Sequence, residues 1–249
     1  MLQFKSFLLI LITNSSIFSQ SLITDRPDQT ESALTVSKNS LQIESGIIYE
    51  NLKEDGVYTN NYSIAGTLLR YGLTDILELR LGAAYLISKS RITNLGFENV
   101  LTGIKLNLST EDEGVFDFGL FAHVYLPIGR SYFTSPSLEP EFIAAISKSL
   151  SDNISLSGNL GSIYNSSIRK AVFFYTTALG ISLSNELGMF IEIYGEMISE
   201  INTTNYIDAG FTFLISNNLQ IDISAGKEIS ESASAWFLST GVSIRFNKL

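Results

Sequence analysis

From residue 41 onward, apolar and polar side chains alternate with a period of two. In "LQIESGIIYE", Leu41, Ile43, Ile47 and Tyr49 fall on one face, and Gln42, Glu44, Gly46 and Glu50 on the other. That pattern predicts a strand with apolar surroundings on one side and polar surroundings on the other. It recurs at 62–71, 76–85, 100–108, 115–126, 141–150, 154–164, 172–183, 189–196, 205–215, 219–226 and 235–246, which makes twelve strands. Only in "YSIAGTLLRY" at 62–71 are the two faces poorly separated.

The links alternate as regularly as the strands. "GLTD", "STEDEG", "SDN", "NELG" and "SNN" are short and carry Asn, Asp or Gly turn chemistry, while 51–61, 86–99, 127–140, 165–171, 197–204 and 227–234 are longer. An even number of strands of about 10 residues, with short turns at one end and longer loops at the other, predicts a closed antiparallel up-and-down transmembrane β-barrel of about 12 strands. Closure follows because an open sheet edge in lipid would leave backbone groups unpaired. The aromatics fit that geometry. On the apolar phase, Tyr49, Tyr85, Phe142, Tyr164, Tyr175 and Trp236 sit beside the long loops, and Tyr71, Phe116 and Phe246 beside the short turns, as two interfacial girdles require. A soluble β-sandwich would also alternate, but it favours Greek-key connections over consecutive hairpins.

The first 20 residues change the picture of where this barrel resides. Lys5 precedes an apolar run from Phe7 to Ile12, followed by small or polar residues to Ser19. This is the order of a secretory signal peptide, with cleavage expected near Ser19 or Gln20, and the run is too short to span a membrane. The chain is therefore expected in the outer membrane, with residues 1–20 as leader, 21–40 as a periplasmic segment and 41–249 as barrel. Its surroundings would be outer-membrane lipid, with the barrel-assembly machinery as partner during biogenesis. Hydrophobic residues make up 45% of the chain with 16 Phe and 11 Tyr but 4 Pro, a composition suited to strands. Absence of cysteine excludes disulfides, thiol catalysis and cysteine-held metals. The net charge of −9, one unit more negative once Lys5 leaves, excludes a nucleic-acid partner.

If the apolar phase faces lipid, the other phase faces the lumen. It carries Glu44, Glu50, Glu78, Asp117, Glu141, Glu192, Glu196, Asp208 and Asp222 against Arg70, Arg80, Lys105 and Arg245. Such a lumen favours cations. Cross-strand pairing accounts for part of it, since unpaired buried charge is costly, and Arg70 sits across the "GLTD" turn from Glu78 and Arg80. The one histidine, His123, shares the polar phase with Asp117 and Tyr125. A lipid hydrolase would need a serine hydroxyl within reach of that ring and a third group to orient it, and no serine is marked out by spacing. A satisfied lumen histidine is the expectation. "EDEG" at 111–114 lacks the spaced oxygen ligands of a calcium loop, so neither metal nor cofactor is expected.

One stretch stands outside the alternation. "TDRPDQTES" places Asp25, Arg26, Pro27, Asp28 and Glu31 ahead of the first strand. With both termini periplasmic, it either hangs free or folds into or under the barrel mouth. There Arg26 would meet lumen acids, and Asp25, Asp28 and Glu31 would meet Arg70, Arg80 or Arg245. This motif, with "VSKNSLQIESG", "LLRYGLTDILELRLG" and "FIEIYGE", resembles the outer-membrane transporter-like family named for the phenol meta-pathway, in its Bacteroidetes form. The resemblance implies a barrel that passes small molecules, hydrophobic or aromatic ones among them, and implies no catalysis. A lipid hydrolase and a non-transporting structural or surface-binding barrel are the alternatives. Barrels of this kind end on an aromatic residue, whereas here Phe246 is followed by Asn247, Lys248 and Leu249.

Overall fold

A computed structural model describes residues 22–54, 56–112, 114–198, 203–230 and 234–247. The leader and its cleavage position lie outside the described residues. The strands are β1 (Leu41–Glu54), β2 (Val57–Gly72), β3 (Leu77–Lys89), β4 (Thr93–Phe97), β5 (Val100–Ser109), β6 (Asp117–Leu126) and β7 (Glu139–Ser151). They continue as β8 (Ile154–Asn165), β9 (Lys170–Ser182), β10 (Leu187–Ile198), β11 (Thr204–Ser216), β12 (Leu219–Glu228) and β13 (Ser234–Phe246).

Each barrel strand pairs antiparallel with its sequence neighbours, β3 pairs with β5, and β1 pairs with β13 along Leu41↔Phe246 to Lys53↔Ser234. The sheet closes on itself. Every one of the twelve predicted strands is present, and each wall strand has 10–16 residues, enough to cross the hydrocarbon layer at a barrel's tilt. The extra strand, β4, pairs only with the outer end of β3, from Tyr85↔Phe97 to Lys89↔Thr93. It falls within the link expected over 86–99. The link expected over 51–61 is mostly strand as well, because β1 and β2 continue to a turn at Gly56, whose φ of 76° suits glycine.

The weak alternation of β2 has a local cause. Ile64 pairs with Tyr85 and Thr67 with Ala83, so two β2 residues oppose Ala84 alone. Ala65 takes the left-handed conformation at φ 52° to make this bulge. The bulge resets the phase, leaving Ile64 and Thr67 both outward.

Burial is inverted relative to a soluble protein. Among the described residues, buried polar or charged side chains outnumber buried hydrophobic ones, twenty-five to eleven, whereas Ile47, Leu81, Phe142, Leu160 and Ile223 lie exposed on the outside. That outer face is matched to lipid. Its aromatic band includes Tyr49 against Trp236 at 5.3 Å and Tyr85 against Phe97 at 5.2 Å, where amphipathic rings meet the headgroups. Among the described residues the interior contains one small apolar cluster, Ala33, Phe121, Ile143 and Ala145. Ala33 belongs to the segment before β1, so that segment is packed within the barrel.

Candidate functional site

Residues 22–40 occupy the lumen as an irregular loop. The loop leaves the periplasmic end, where Asn39 N–H donates to the Gly72 carbonyl and the Thr35 hydroxyl to that of Asp75. It rises past Glu78, which accepts from Val36 N–H at 2.8 Å, and past Asn107, which donates to the Ala33 carbonyl. At mid-lumen, Glu31 N–H donates to Asn159, and Glu192 accepts from Gln29 N–H at 2.7 Å and from the Thr30 hydroxyl. The chain then turns back, and the Ile23 carbonyl accepts from Gln42 and Arg70. Apart from the bridge between Lys38 and Gly72, no helix or sheet satisfies the backbone of residues 22–40. Wall side chains do so instead, as buried peptide groups require.

Two ionic arrangements hold the loop. In the first, Asp25 draws together three cations: Arg80 at 2.7 Å, Arg70 at 3.0 Å and Lys105 at 3.2 Å. The same cations meet Glu44, Glu78 and Glu31, with Arg70 2.8 Å from both Glu44 and Glu78, and Arg80 2.6 Å from Glu31. Arg80 and Lys105 also lie over the Phe121 ring, which adds cation–π attraction. In the second, Arg26 reaches β12 and β13, donating to Asp222 at 3.0 and 3.3 Å and to Ser239 at 3.0 Å. Its guanidinium lies on Gly46 and Gly241, where any Cβ would overlap it. Such pairs recover their desolvation only when geometry is good and remaining donors are satisfied, and they fix how the loop docks.

The structure places the remaining polar-phase residues as follows. Asp117 is near the periplasmic rim and accepts from Ser147 and Glu111 N–H. Arg245 donates to Asn218 near the short turns. The charged groups around Asp28 include the acids Glu192, Asp208 and Asp25, and it is not among the ion-pair partners of Arg70 or Arg80 that the sequence expectation offered it. Glu192 and Asp208 face each other across the β10–β11 register. Neither carboxylate oxygen of Asp208, which is 3% exposed, has a hydrogen-bond partner. Glu50 accepts from Asn61, and Glu196 borders a cavity towards the outer mouth. His123 Nδ1 is 2.7 Å from Glu141, while Nε2 has no partner. The hydroxyl that a hydrolase would place at Nε2 is therefore not there. Among the described residues, no group of three or more His, Asp or Glu could hold a metal ion.

Space remains on both sides of the loop. Towards the long loops lies a cavity of about 670 Å³, floored by Asp25–Gln29, walled by Glu50, Tyr194 and Phe237, and reached by Tyr132 and Phe133 from the 127–138 loop. Towards the short turns lies one of about 330 Å³, bordered by Asp117, Ser147 and Ser157. Asp28 lines both. Sequence reasoning did not single out Gln29, Thr30, Asn159, Thr176, Ser239 or the two glycines. The one signal they carry is their place in the knot or on the inward phase.

The chain matches, over residues 24–246, the family described as "Putative MetA-pathway of phenol degradation". It belongs to that family. The matched span takes in the lumenal loop as well as the barrel. No curated protein matches the sequence. Among solved structures, the family member is similar to the COG4313 outer membrane channel from Pseudomonas putida F1, with TM-score 0.67 and 11% identity over 86% of this chain and 98% of that one. The translocator domain of the autotransporter NalP from Neisseria meningitidis gives TM-score 0.53 at 11% identity, covering 86% and 91%. The NanC porin gives 0.50 at 10%, covering 82% and 98%. At such identities the likeness concerns the fold, which is that of an outer-membrane barrel, and this family member resides in that membrane.

Proposed function

We propose that the protein is a channel for small molecules, closed in this conformation by the loop of residues 22–36 and opened when that loop moves. The observation that carries this reading is that the outer and inner cavities share Asp28 as a wall, so the tip of one loop separates them. The polar lumen supports it, because a barrel filled only for stability has no need of two cavities divided by an irregular segment. The barrel's size agrees too: it lies between side-chain-filled eight-stranded barrels and the wide porins. Similarity to a structure described as an outer membrane channel adds support from the fold. On this reading the lumen charges dock the loop and bias what enters, and the barrel catalyses nothing.

The test is full-length protein beside a variant lacking residues 22–36, in planar bilayers and in liposome swelling. The full-length protein should conduct rarely and the deletion variant continuously, with cations preferred. A deletion variant that folds, by its heat-modifiable mobility, yet passes neither ions nor solutes would overturn the channel. Arg70, Arg80 and Lys105 keep Glu44 and Glu78 nearby in that variant, so the wall cations are not stranded.

A further inference from the structure

The lumen charges are divided unevenly, and the division points to a ligand class. Arg70, Arg80 and Lys105 are committed to Asp25, Glu31, Glu44 and Glu78. Arg26 is committed to Asp222, and Arg245 lies by Asn218 towards the short turns. By contrast Asp28 in the loop, Glu50 on β1, Glu192 and Glu196 on β10 and Asp208 on β11 have no ion pair among the described residues. Asp208, nine-tenths buried and more, faces the Glu192 carboxyl across the β10–β11 register, just beyond the cavity's lining, and extends the acidic side of the lumen. Ionising a buried carboxyl without a counter-charge is costly, so such groups tend to keep their protons, and a ligand that brings positive charge favours the ionised form.

The same region is aromatic. Tyr194 stacks on Tyr206 at 5.0 Å with ring planes 9° apart. Tyr194 also lines the 670 Å³ cavity together with Phe237, Tyr132 and Phe133, and with the acids Asp28 and Glu50; Arg26 and Asp25, which line it too, are held in ion pairs with Asp222 and Arg80. Acids beside ring faces recognise ammonium groups, through Coulomb attraction and the negative face of each ring. A bare metal ion fits poorly, since no described carboxylates converge closely enough to hold one, and the rings suit an apolar body.

We propose that the outer cavity binds small organic cations, an ammonium group carried on an aromatic or compact apolar body, with the charge against Asp28 and Glu50 and the body against Tyr194 and Phe237. This rests on the channel reading above and names the solute class of its entrance. Anions of the same shape meet the acids and are refused. Neutral analogues keep only the ring contacts.

Calorimetric titration of the full-length protein in detergent tests this with three probes of similar shape, benzyltrimethylammonium, benzyl alcohol and benzoate. The cation should bind about tenfold more tightly than the alcohol, as one cation–π contact and one charge contact require, and benzoate should give no heat. Glu50→Gln and Asp28→Asn should each weaken the cation by roughly three- to tenfold and leave the alcohol unchanged. Tyr194→Phe should retain cation binding, whereas Tyr194→Leu should lose several-fold of it, a contrast that does not rely on the acid variants folding. Equal affinity for all three probes, or cation binding indifferent to Glu50→Gln and Tyr194→Leu, would overturn the proposal. Liposome flux separates it from the channel reading. Flux of all three probes at one rate without preferential binding sinks the cation site alone. Tight cation binding with no flux, even without residues 22–36, sinks the channel alone.

Discussion

The Arg26 clamp offers the sharpest perturbation. Arg26→Ala removes two hydrogen bonds to Asp222 and one to Ser239, and leaves Asp222, whose side chain is fully buried, without its counter-charge. Stranding one partner of a buried pair costs about 3–5 kcal/mol. Arg26 is 16% exposed, so water screens part of this and the lower end, about 3 kcal/mol, is appropriate. The undocked loop avoids that cost because Asp222 then meets lumen water. The docking equilibrium should fall by roughly a hundredfold, and single-channel recordings at low salt should show open probability rising by about that factor while it remains small. The double variant Arg26→Ala/Asp222→Asn should recover part of the closure, since it removes the stranded charge as well as its partner. An open probability unchanged in Arg26→Ala, in a preparation where deleting residues 22–36 does open the channel, would refute the clamp. A double variant more open than the single would refute the charge argument behind it.

Other expectations follow from the same geometry. Gly241→Ala, and equally Gly46→Ala, puts a methyl where the Arg26 guanidinium lies, so either should reproduce the leak of Arg26→Ala in the same recordings although no charge is altered. A tight, silent channel would show that the loop can shift to admit the methyl. Glu98, between β4 and β5, is pushed by burial up to about 7 from 4.5, against the opposing effect of a hydrogen bond at Ala84. A carboxyl that holds its proton more tightly when folded contributes stability below pH 4.5, and that contribution is lost as pH rises to about 7. Thermal midpoints should therefore fall over this window for the wild type, and Glu98→Gln should flatten that part of the profile.

Much of the architecture follows from a period of two. Each residue of a strand such as "LQIESGIIYE" is assigned to lipid or lumen by its parity alone, because the pleat sends successive side chains to opposite faces. Strand number, hairpin order and the inward set from Glu44 to Arg245 were legible for that reason. The strand whose parity was blurred, β2, is the one whose bulge at Ala65 resets the phase. The short β4 escaped because five residues within a long link carry too little alternation to register, and it forms only because β3 extends beyond the wall to meet it.

By itself, then, the sequence determined the barrel, the side of each wall residue, the acid excess inside and a charged motif ahead of β1. Tertiary structure alone decided which charges meet. Asp25 lies 55 residues from Arg80, and Arg26 lies 196 from Asp222, so no local pattern joins them, and they come together only once the sheet has closed. It also decided that "TDRPDQTES" lies across the lumen, with Asp28 between two cavities and the wall acids Glu50, Glu192, Glu196 and Asp208 without an ion pair among the described residues. The physical reason is that alternation is a property of neighbours along the chain, whereas the fate of a buried charge depends on what closure of the barrel brings opposite it.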